Sequence, residues 1–162
     1  MSRYPFWKTQ KNFETDDIHF VFDNCHGKWY YTEKPQGIRT IWTGEKFIDQ
    51  NGKEITLPEK FISTFPKETS FDGHLHDNIF YVHDVPERDI SFEERHRRMC
   101  FIAKKNKNKS IVFCEYTLTN NIKKEIPTIY NLNKNLILNE ASSLYLGKRV
   151  KHTIFFKKNI SH

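Results

Sequence analysis

Two residues, Lys34 and Arg39, have types and a spacing suited to chemistry on phosphate groups. They belong to the run Glu33-Lys34-Pro35-Gln36-Gly37-Ile38-Arg39, which lies between two candidate strands. A lysine amine is a nucleophile only when neutral, and a free lysine, with a pKa of about 10.4, is almost fully protonated at neutral pH. Neighbouring cations or desolvation would have to lower that pKa. The alternative interpretation of Lys34 is an exposed lysine at the end of a strand. Arg39 offers a fixed fork of donors that suits phosphate or ribose groups.

Three histidines form a second candidate cluster. His74 and His76 alternate on one extended segment and His83 follows on the next, so the three could converge on a zinc ion. No fourth ligand can be identified in the sequence, and scattered surface histidines explain the pattern more simply. We therefore predict no metal site from this cluster.

The composition limits the partners and the compartment. Lys and Arg outnumber Asp and Glu by 26 to 20, and the net charge of +6 favours polyanionic partners such as nucleic acid or nucleotides. The lysine- and asparagine-rich run at 104–109 is interpreted as a solvated loop. The cysteines, Cys25, Cys100 and Cys114, form no C-x-x-C pair, which indicates reduced thiols in an intracellular protein. No stretch approaches the roughly 20 apolar residues that span a membrane, so we expect a soluble protein without a membrane partner.

These residues must be positioned by an α+β fold that is rich in antiparallel strands. Extended structure is predicted over 18–31, 38–42 and 46–48, with a hairpin turn at Asn51-Gly52. A short helix is predicted at 58–64, and a longer helix at 92–104 behind a capping box formed by Ser91 and Glu94. Further strands are predicted at 79–82, 111–113, 135–138 and 153–156. The pattern contains two helices in all.

The motifs that follow Lys34 give the pattern its specificity. They are Ile41-Trp42-Thr43-Gly44, Asn51-Gly52-Lys53-Glu54-Ile55, Phe71-Asp72-Gly73-His74-Leu75 and Tyr81-Val82-His83-Asp84-Val85-Pro86. In this order and spacing, and with the lysine run similar to the motif K-x-D-G-x-R, the chain resembles the adenylation domain of small bacterial and viral ATP-dependent DNA ligases. The resemblance extends over roughly residues 29–158. It implies an α+β fold with mainly antiparallel sheets, a few helices and a ligase-like nucleotidyltransferase (ATP-grasp-like) core.

The resemblance also implies roles for individual residues. Lys34 would take AMP, or GMP as in the related capping enzymes, from a nucleoside triphosphate and pass it to a nucleic-acid 5′-phosphate, with ATP and Mg²⁺ as cofactors. Thr32 and Glu33 would read the adenine edge, and Lys157 would sit opposite Lys34 and lower its pKa. The implied nucleotide-binding residues are Thr32, Glu33, Arg39, Asp72, His83, Glu140 and Lys157, and the implied nucleic-acid contacts are Lys148, Arg149 and Lys151.

Several positions depart from the family's pattern, and most of the changes lose charge. Gln36 replaces an aspartate, and His74 replaces a glutamate that helps to place the metal. A neutral imidazole brings no negative charge to hold Mg²⁺. The remaining departures are Gln50 for arginine, His83 for a stacking phenylalanine, Ala141 for glycine and Asn159 for lysine. Together they predict weakened binding of metal and nucleotide.

The expected organisation is an N-terminal segment at 1–28 and a ligase-like nucleotidyltransferase domain at 29–162. We expect no OB-fold domain of the kind that usually follows in DNA ligases. The expected function is that of a degenerate DNA-repair ligase domain with weak or no ligation. Two alternatives stay open. One is a non-catalytic module that binds nucleic acid or nucleotide, and the other is an active minimal nucleotidyltransferase that needs a partner chain to supply the missing domain.

Overall fold

The computed structural model describes residues 12–131, 134–146 and 150–157, which fall into two compact units. We name the two units after Arg39 and Lys34. The Arg39 unit contains residues 35–114 and 144–146, and the Lys34 unit contains the other described residues. Each unit is built on a five-stranded sheet with mixed but mainly antiparallel pairing. The predicted α+β class is therefore confirmed.

The elements follow one another along the chain with short connections. The strands are β1 (Asn12–Thr15), β2 (Trp29–Glu33), β3 (Ile38–Trp42), β4 (Phe47–Asp49), β5 (Phe71–His76), β6 (Ile79–Asp84), β7 (Ile111–Phe113), β8 (Thr117–Thr119), β9 (Leu136–Glu140) and β10 (Val150–Phe156). The helices are α1 (Ile18–Asn24), α2 (Glu59–Ile62), α3 (Phe92–Lys105) and α4 (Ile122–Asn131). Among the described residues, none of these helices is long and apolar enough to cross a bilayer.

The Arg39 unit has the strand order β4-β3-β5-β6-β7, in which only β6 and β7 run parallel. Its apolar face is aromatic: Trp42 packs on Phe47 at 4.8 Å between ring centroids, and Phe65 and Phe80 complete the cluster. The Trp42 indole N–H donates to the Pro66 carbonyl at 2.8 Å, so the buried ring has its polar group satisfied. This packing fixes β3 and β5 side by side, with Ile41 opposite Asp72.

Gly73 allows β5 and β6 to approach each other where their register shifts. A Cβ atom at Gly73 would lie 2.1 Å from the Tyr81 carbonyl oxygen, so no larger residue fits without displacement of the backbone. The shift falls between Asp72, opposite Asp84, and Gly73, opposite Val82. His83 is the residue passed over by this irregularity, and its side chain is turned towards Asp72.

The Lys34 unit has the strand order β1-β10-β9-β2-β8, with β1 and β10 parallel and the other pairs antiparallel. One face of its sheet packs on α1 and α4. That face carries Trp29, Leu136, Leu138, Ile154 and Phe156, and the helices contribute Val21, Ile122 and Ile126. Because side chains alternate along a strand, Thr32, Ile137 and Phe155, which are paired in register, lie in a row on the other face.

The predicted long helix is confirmed as α3, capped by the Ser91 hydroxyl accepting from the Glu94 amide. The hairpin at Asn51-Gly52 is confirmed as well, with Gly52 at a φ of 85°. Two expectations were wrong. Residues 18–24 form a helix rather than a strand, and Ile122–Asn131, where no helix was predicted, forms α4. The described chain thus has four helices where two were predicted.

Candidate functional site

Lys34 extends the pairing of β2 by one residue. Its backbone N–H donates to the Asn135 carbonyl at 2.8 Å, and its side chain is half-buried. The ammonium nitrogen lies 5.4 Å from the centroid of the Phe155 ring, within the range in which an aromatic face attracts a cation. Thr32, two residues earlier on the same face, is buried and donates its hydroxyl to the Glu115 carbonyl at 2.8 Å. The Lys34 unit therefore groups Thr32, Lys34 and Phe155 on one sheet face.

The two glutamates predicted for the site lie elsewhere in the Lys34 unit. Glu33 is exposed and pairs with the Lys134 ammonium at 3.3 Å. Glu140 pairs in register with Trp29, while Glu33 pairs with Leu136. Four strand residues, about 13 Å, therefore separate Glu140 from the Lys34 end of the sheet. Glu140 shares the face of Trp29, opposite to that of Thr32, and accepts from the Ser142 hydroxyl at 2.8 Å.

Lys157 follows directly on β10 and is held by β1. Its backbone N–H donates to the Thr15 carbonyl at 2.8 Å, and its half-exposed ammonium lies 3.3 Å from the Glu14 carboxylate. The positive charge that was expected to face Lys34 is thus paired with Glu14. Phe155, two residues before Lys157, is the contact of Lys34 that the sequence analysis missed. The alternation of Phe155 and Lys157, at the end of β10 and just after it, was the sequence signal that could have revealed this contact.

In the Arg39 unit the central feature is a buried ion pair between Arg39 and Asp72. The Arg39 Nε donates to Asp72 Oδ1 at 2.7 Å and its Nη2 to Oδ2 at 2.6 Å. The Tyr145 hydroxyl also donates to Oδ2, at 2.8 Å. Burial acts to lower the pKa of the Arg39 guanidinium, but the Asp72 charge and hydrogen bonds outweigh it and the net pKa is raised. Arg39 is therefore a permanent cation whose fork of donors is occupied by a carboxylate.

Two histidines complete this cluster beneath the surface. His83 Nε2 lies 3.7 Å from Asp72 Oδ1, and the His83 and His74 rings are 5.1 Å apart at an interplanar angle of 44°. The exposed fractions are only 3% for His83 and 2% for His74. His83 stands where the family's pattern has a stacking phenylalanine. Its buried ring contacts both Asp72 and His74.

A second buried ion pair joins α3 to β6 in the same unit. Arg95 is fully buried and donates to Asp84 through Nε at 2.8 Å and Nη2 at 3.2 Å. Its third donor, Nη1, bonds the Ile90 carbonyl at 2.6 Å. Burial raises the pKa of Asp84, and the Arg95 charge opposes that rise. This pair secures the strand that carries His83.

Asp72, Asp84 and Glu33 are poorly suited to hold a magnesium ion. Mg²⁺ requires oxygen ligands with free lone pairs in a compact octahedral set. Asp72 and Asp84 are each held by an arginine, and Glu33 is held by Lys134. Among the residues that the structure describes, no three His, Cys, Asp or Glu side chains converge as a metal site. His74, which replaces a carboxylate in the pattern, offers the hard cation no charge.

The three residues predicted to contact nucleic acid cannot be assigned a place. Lys148 and Arg149 lie outside the described residues, and Lys151 belongs to β10 with its side chain outside the description. Tyr145, just before them in the chain, is fully buried and completes the Asp72 cluster. It was not predicted as a site residue.

Comparison with solved structures identifies the fold, whereas comparison of sequences finds no match. Neither a protein family model nor a curated protein matches the chain. A structure described as a Lig E DNA ligase superposes with a TM-score of 0.72 at 18% identity, over 93% of this chain and 68% of that one. The Chlorella virus DNA ligase-adenylate gives a TM-score of 0.69 at 12% identity, over 94% and 67%. The fold is that of DNA ligases.

Other structures with the DNA ligase fold agree. The ligase domain of M. tuberculosis LigD gives a TM-score of 0.66 at 11% identity, over 92% of this chain and 59% of that one. The chain spans between 59% and 68% of the length of these three ligase structures. The ligase-like α+β fold implied by the motifs around Lys34 and Asp72 is thus confirmed. Identities this low establish the DNA ligase fold alone.

Proposed function

We propose that this chain is a ligase-like nucleotidyltransferase domain, with an ATP-grasp-like core, in which Lys34 accepts AMP from ATP only weakly. The observation that carries the proposal is the state of Asp72. In a protein with the DNA ligase fold, this motif carboxylate has both oxygens engaged by Arg39 and Tyr145. A carboxylate so engaged gives little help to an incoming nucleotide or metal.

The proposed reaction is a single displacement at the α-phosphorus of ATP. The neutral amine of Lys34 forms the N–P bond, the bond to the pyrophosphate oxygen breaks, pyrophosphate leaves and the amine releases a proton. Phe155 works against this step because its ring face attracts the ammonium, while the nucleophile is the uncharged amine. Lys157 gives little compensating repulsion because its charge is paired with Glu14. Both features support weak transfer.

The test is formation of a covalent adduct with α-labelled ATP. We expect a Lys34-linked, acid-labile adduct on a minor fraction of molecules and no detectable sealing of a nicked duplex. Lys34→Arg keeps the charge but lacks a usable nucleophile, so it serves as the matched control and should abolish the label. Label on nearly every molecule would refute weak transfer. Absence of both label and nucleotide binding would refute the nucleotidyltransferase assignment itself.

A second candidate function is nucleic-acid binding without catalysis. It is supported by the net charge of +6 and by the Lig E structure, whose description concerns DNA binding with a minimal scaffold. Lys148, Arg149 and Lys151 are the proposed phosphate contacts. Such contacts release counterions, so affinity for a short DNA duplex should fall steeply with salt, and alanine at all three positions should reduce the slope of that dependence by about two to three. An unchanged slope in fluorescence anisotropy would rule these residues out.

The biological assignments that accompany this proposal are DNA repair and an intracellular location. They rest on the DNA ligase fold and on three cysteines with no paired spacing.

A further inference from the structure

The outer side of α3 carries an apolar surface that the proposed nucleotide chemistry leaves unused. Phe101 is 60% exposed, an unusual state for a phenylalanine in a helix, and Ile102 beside it is partly buried. A cavity of about 440 Å³ and another of about 370 Å³ are both lined by Phe101 and Ile102. We call Phe101, Ile102 and these two cavities the α3 surface. Paired cavities around an exposed aromatic side chain are typical of binding surfaces.

The larger cavity has an apolar floor and a rim of mixed charge, with three glutamates and two arginines. Val85 and Pro86 form the floor together with Phe101 and Ile102. On the rim, Arg98 is ion-paired with Glu87, and Arg97 is ion-paired with Glu94. Because each arginine is already paired with a glutamate and Glu68 adds a further negative charge, the cavity favours an uncharged apolar group over an anionic one. Its volume is sufficient for one or two large side chains.

The smaller cavity has a rim of a single sign. Lys105 and Lys107 line it above an apolar floor that includes Phe71, Ile111 and Phe113. The Lys105 ammonium lies 4.3 Å from the Phe101 ring centroid. In the surrounding sequence, residues 95–114 contain seven Lys and Arg residues and no Asp or Glu, in a chain whose net charge is +6. Lys104, Lys105, Lys107 and Lys109 are all exposed.

We propose that the α3 surface binds an acidic peptide segment of a partner protein, which inserts an apolar side chain into the larger cavity and sets carboxylates against Lys105 and Lys107. The pattern of charge favours this occupant over a nucleic acid. A nucleic-acid strand carries a phosphate at every nucleotide and would place some of them beside Glu68, Glu87 and Glu94 on the first rim. A peptide can be apolar at one cavity and acidic at the next.

Phe101 is the expected centre of the interface. An exposed aromatic side chain between two cavities would be buried from both sides by an inserted peptide, and aromatic residues at such centres dominate binding energy. Lys105 already holds its charge over the ring, so a partner carboxylate could pair with it without a large rearrangement. In this proposal the lysine-rich run at 104–109, which was interpreted from the sequence as a solvated loop, takes part in binding.

The test is selection of peptides from a random display library on the whole chain, followed by fluorescence anisotropy with the enriched peptides. We expect a consensus of one or two large apolar residues next to several Asp or Glu. Phe101→Ser should weaken these peptides by about tenfold or more, as should the double variant Lys105→Glu, Lys107→Glu. Leu118→Ser, which alters an exposed apolar residue of β8 (46% exposed), is the matched control and should leave affinity unchanged.

Three results would overturn the proposal. They are the absence of any enriched consensus, a consensus without acidic residues, and peptide binding that survives Phe101→Ser. Displacement of the peptides by a twelve-nucleotide single strand, with loss of that strand's binding in Phe101→Ser, would assign the surface to nucleic acid instead. Circular dichroism should confirm that both α3 variants are folded, as expected for changes at exposed positions.

Discussion

At the scale of single residues, Asp72 connects side chains of the Arg39 unit that no sequence motif had linked. It accepts two hydrogen bonds from Arg39 and one from Tyr145, and it is fully buried. A buried charge is tolerated only where its partner and hydrogen bonds offset the loss of water. Arg39, Asp72 and Tyr145 therefore form a unit whose members depend on one another.

Loss of the Asp72 charge should be much more damaging than loss of the Tyr145 hydroxyl. Asp72→Asn leaves the Arg39 guanidinium buried without its counter-charge, which costs about 3–5 kcal/mol of unfolding free energy. Tyr145→Phe removes one hydrogen bond to a carboxylate and should cost about 1.5–3 kcal/mol. Urea unfolding followed by tryptophan fluorescence gives both values. Equal losses in the two variants would contradict the dominance of the ion pair.

The sequence identified Arg39 and Asp72 as site residues but missed Tyr145, and it could not reveal how the three are connected. Arg39 and Asp72 were each predicted to bind nucleotide, and the structure adds that they bind each other. Their pairing follows from the β3–β5 register, which sets Ile41 opposite Asp72. That register depends on packing between residues about thirty apart in the chain. The burial of His83 likewise depends on the shift next to Gly73, a backbone irregularity with no distinct sequence signal.

At the scale of elements, α3 was predictable because its local signals agree with one another. Ser91 caps the helix, Glu93 and Glu94 lie in its first turn, and Lys104 and Lys105 lie in its last. Acidic residues near the start and basic residues near the end of a helix both complement its dipole.

Removal of the Ser91 cap should therefore destabilise the Arg39 unit measurably. Ser91→Ala deletes the hydroxyl that accepts the Glu94 N–H at 3.2 Å and should lower the unfolding free energy by about 0.5–2 kcal/mol. Ser63→Ala is a suitable comparison. Ser63 directly follows the short helix α2, and its hydroxyl donates to a carbonyl of an exposed turn. Thermal unfolding of the two variants should differ. A Ser91 variant as stable as Ser63→Ala would count against the cap.

The helices α1 and α4 were missed because their local signals conflict. The apolar residues Ile18, Phe20 and Phe22 alternate as in a strand, but Ile18, Val21 and Phe22 also have helical spacing, and Asp17 caps the helix by accepting from the His19 amide. A run of seven residues is too short to distinguish the period of a strand from that of a helix. In α4, Pro127 lies inside the helix, where proline removes a backbone donor. Packing of Ile122 and Ile126 into the core outweighs that penalty.

At the scale of the whole molecule, two cysteines should make stability depend on alkaline pH. Burial raises the pKa of Cys25 to about 12, with a smaller contribution from the Glu140 charge, and burial raises that of Cys114 to about 12 as well. Unfolded thiols ionise near 9.0. Above that pH the unfolded chain loses protons that the folded chain keeps, so the unfolding free energy falls. Below it the two thiols contribute no pH dependence.

We therefore expect the wild-type unfolding free energy to fall between pH 9 and pH 12 more steeply than that of the double variant Cys25→Ala, Cys114→Ala. The comparison cancels the titration of lysines and tyrosines, which both proteins share. Guanidinium unfolding at a series of pH values measures the difference. Parallel curves for the two proteins would mean that the thiols ionise equally well in the folded and unfolded chains.

The strand order of the Lys34 unit also bears on how the protein folds during its synthesis. The sheet of the Arg39 unit uses one continuous stretch, residues 38–113, and can form as soon as that stretch leaves the ribosome. The other sheet places β2 between β8 and β9, so β2 waits more than eighty residues for its first neighbour and more than a hundred for its second. Until then its edge is open to other chains. A truncated product that ends before β9 would therefore be a candidate for aggregation or removal by proteases.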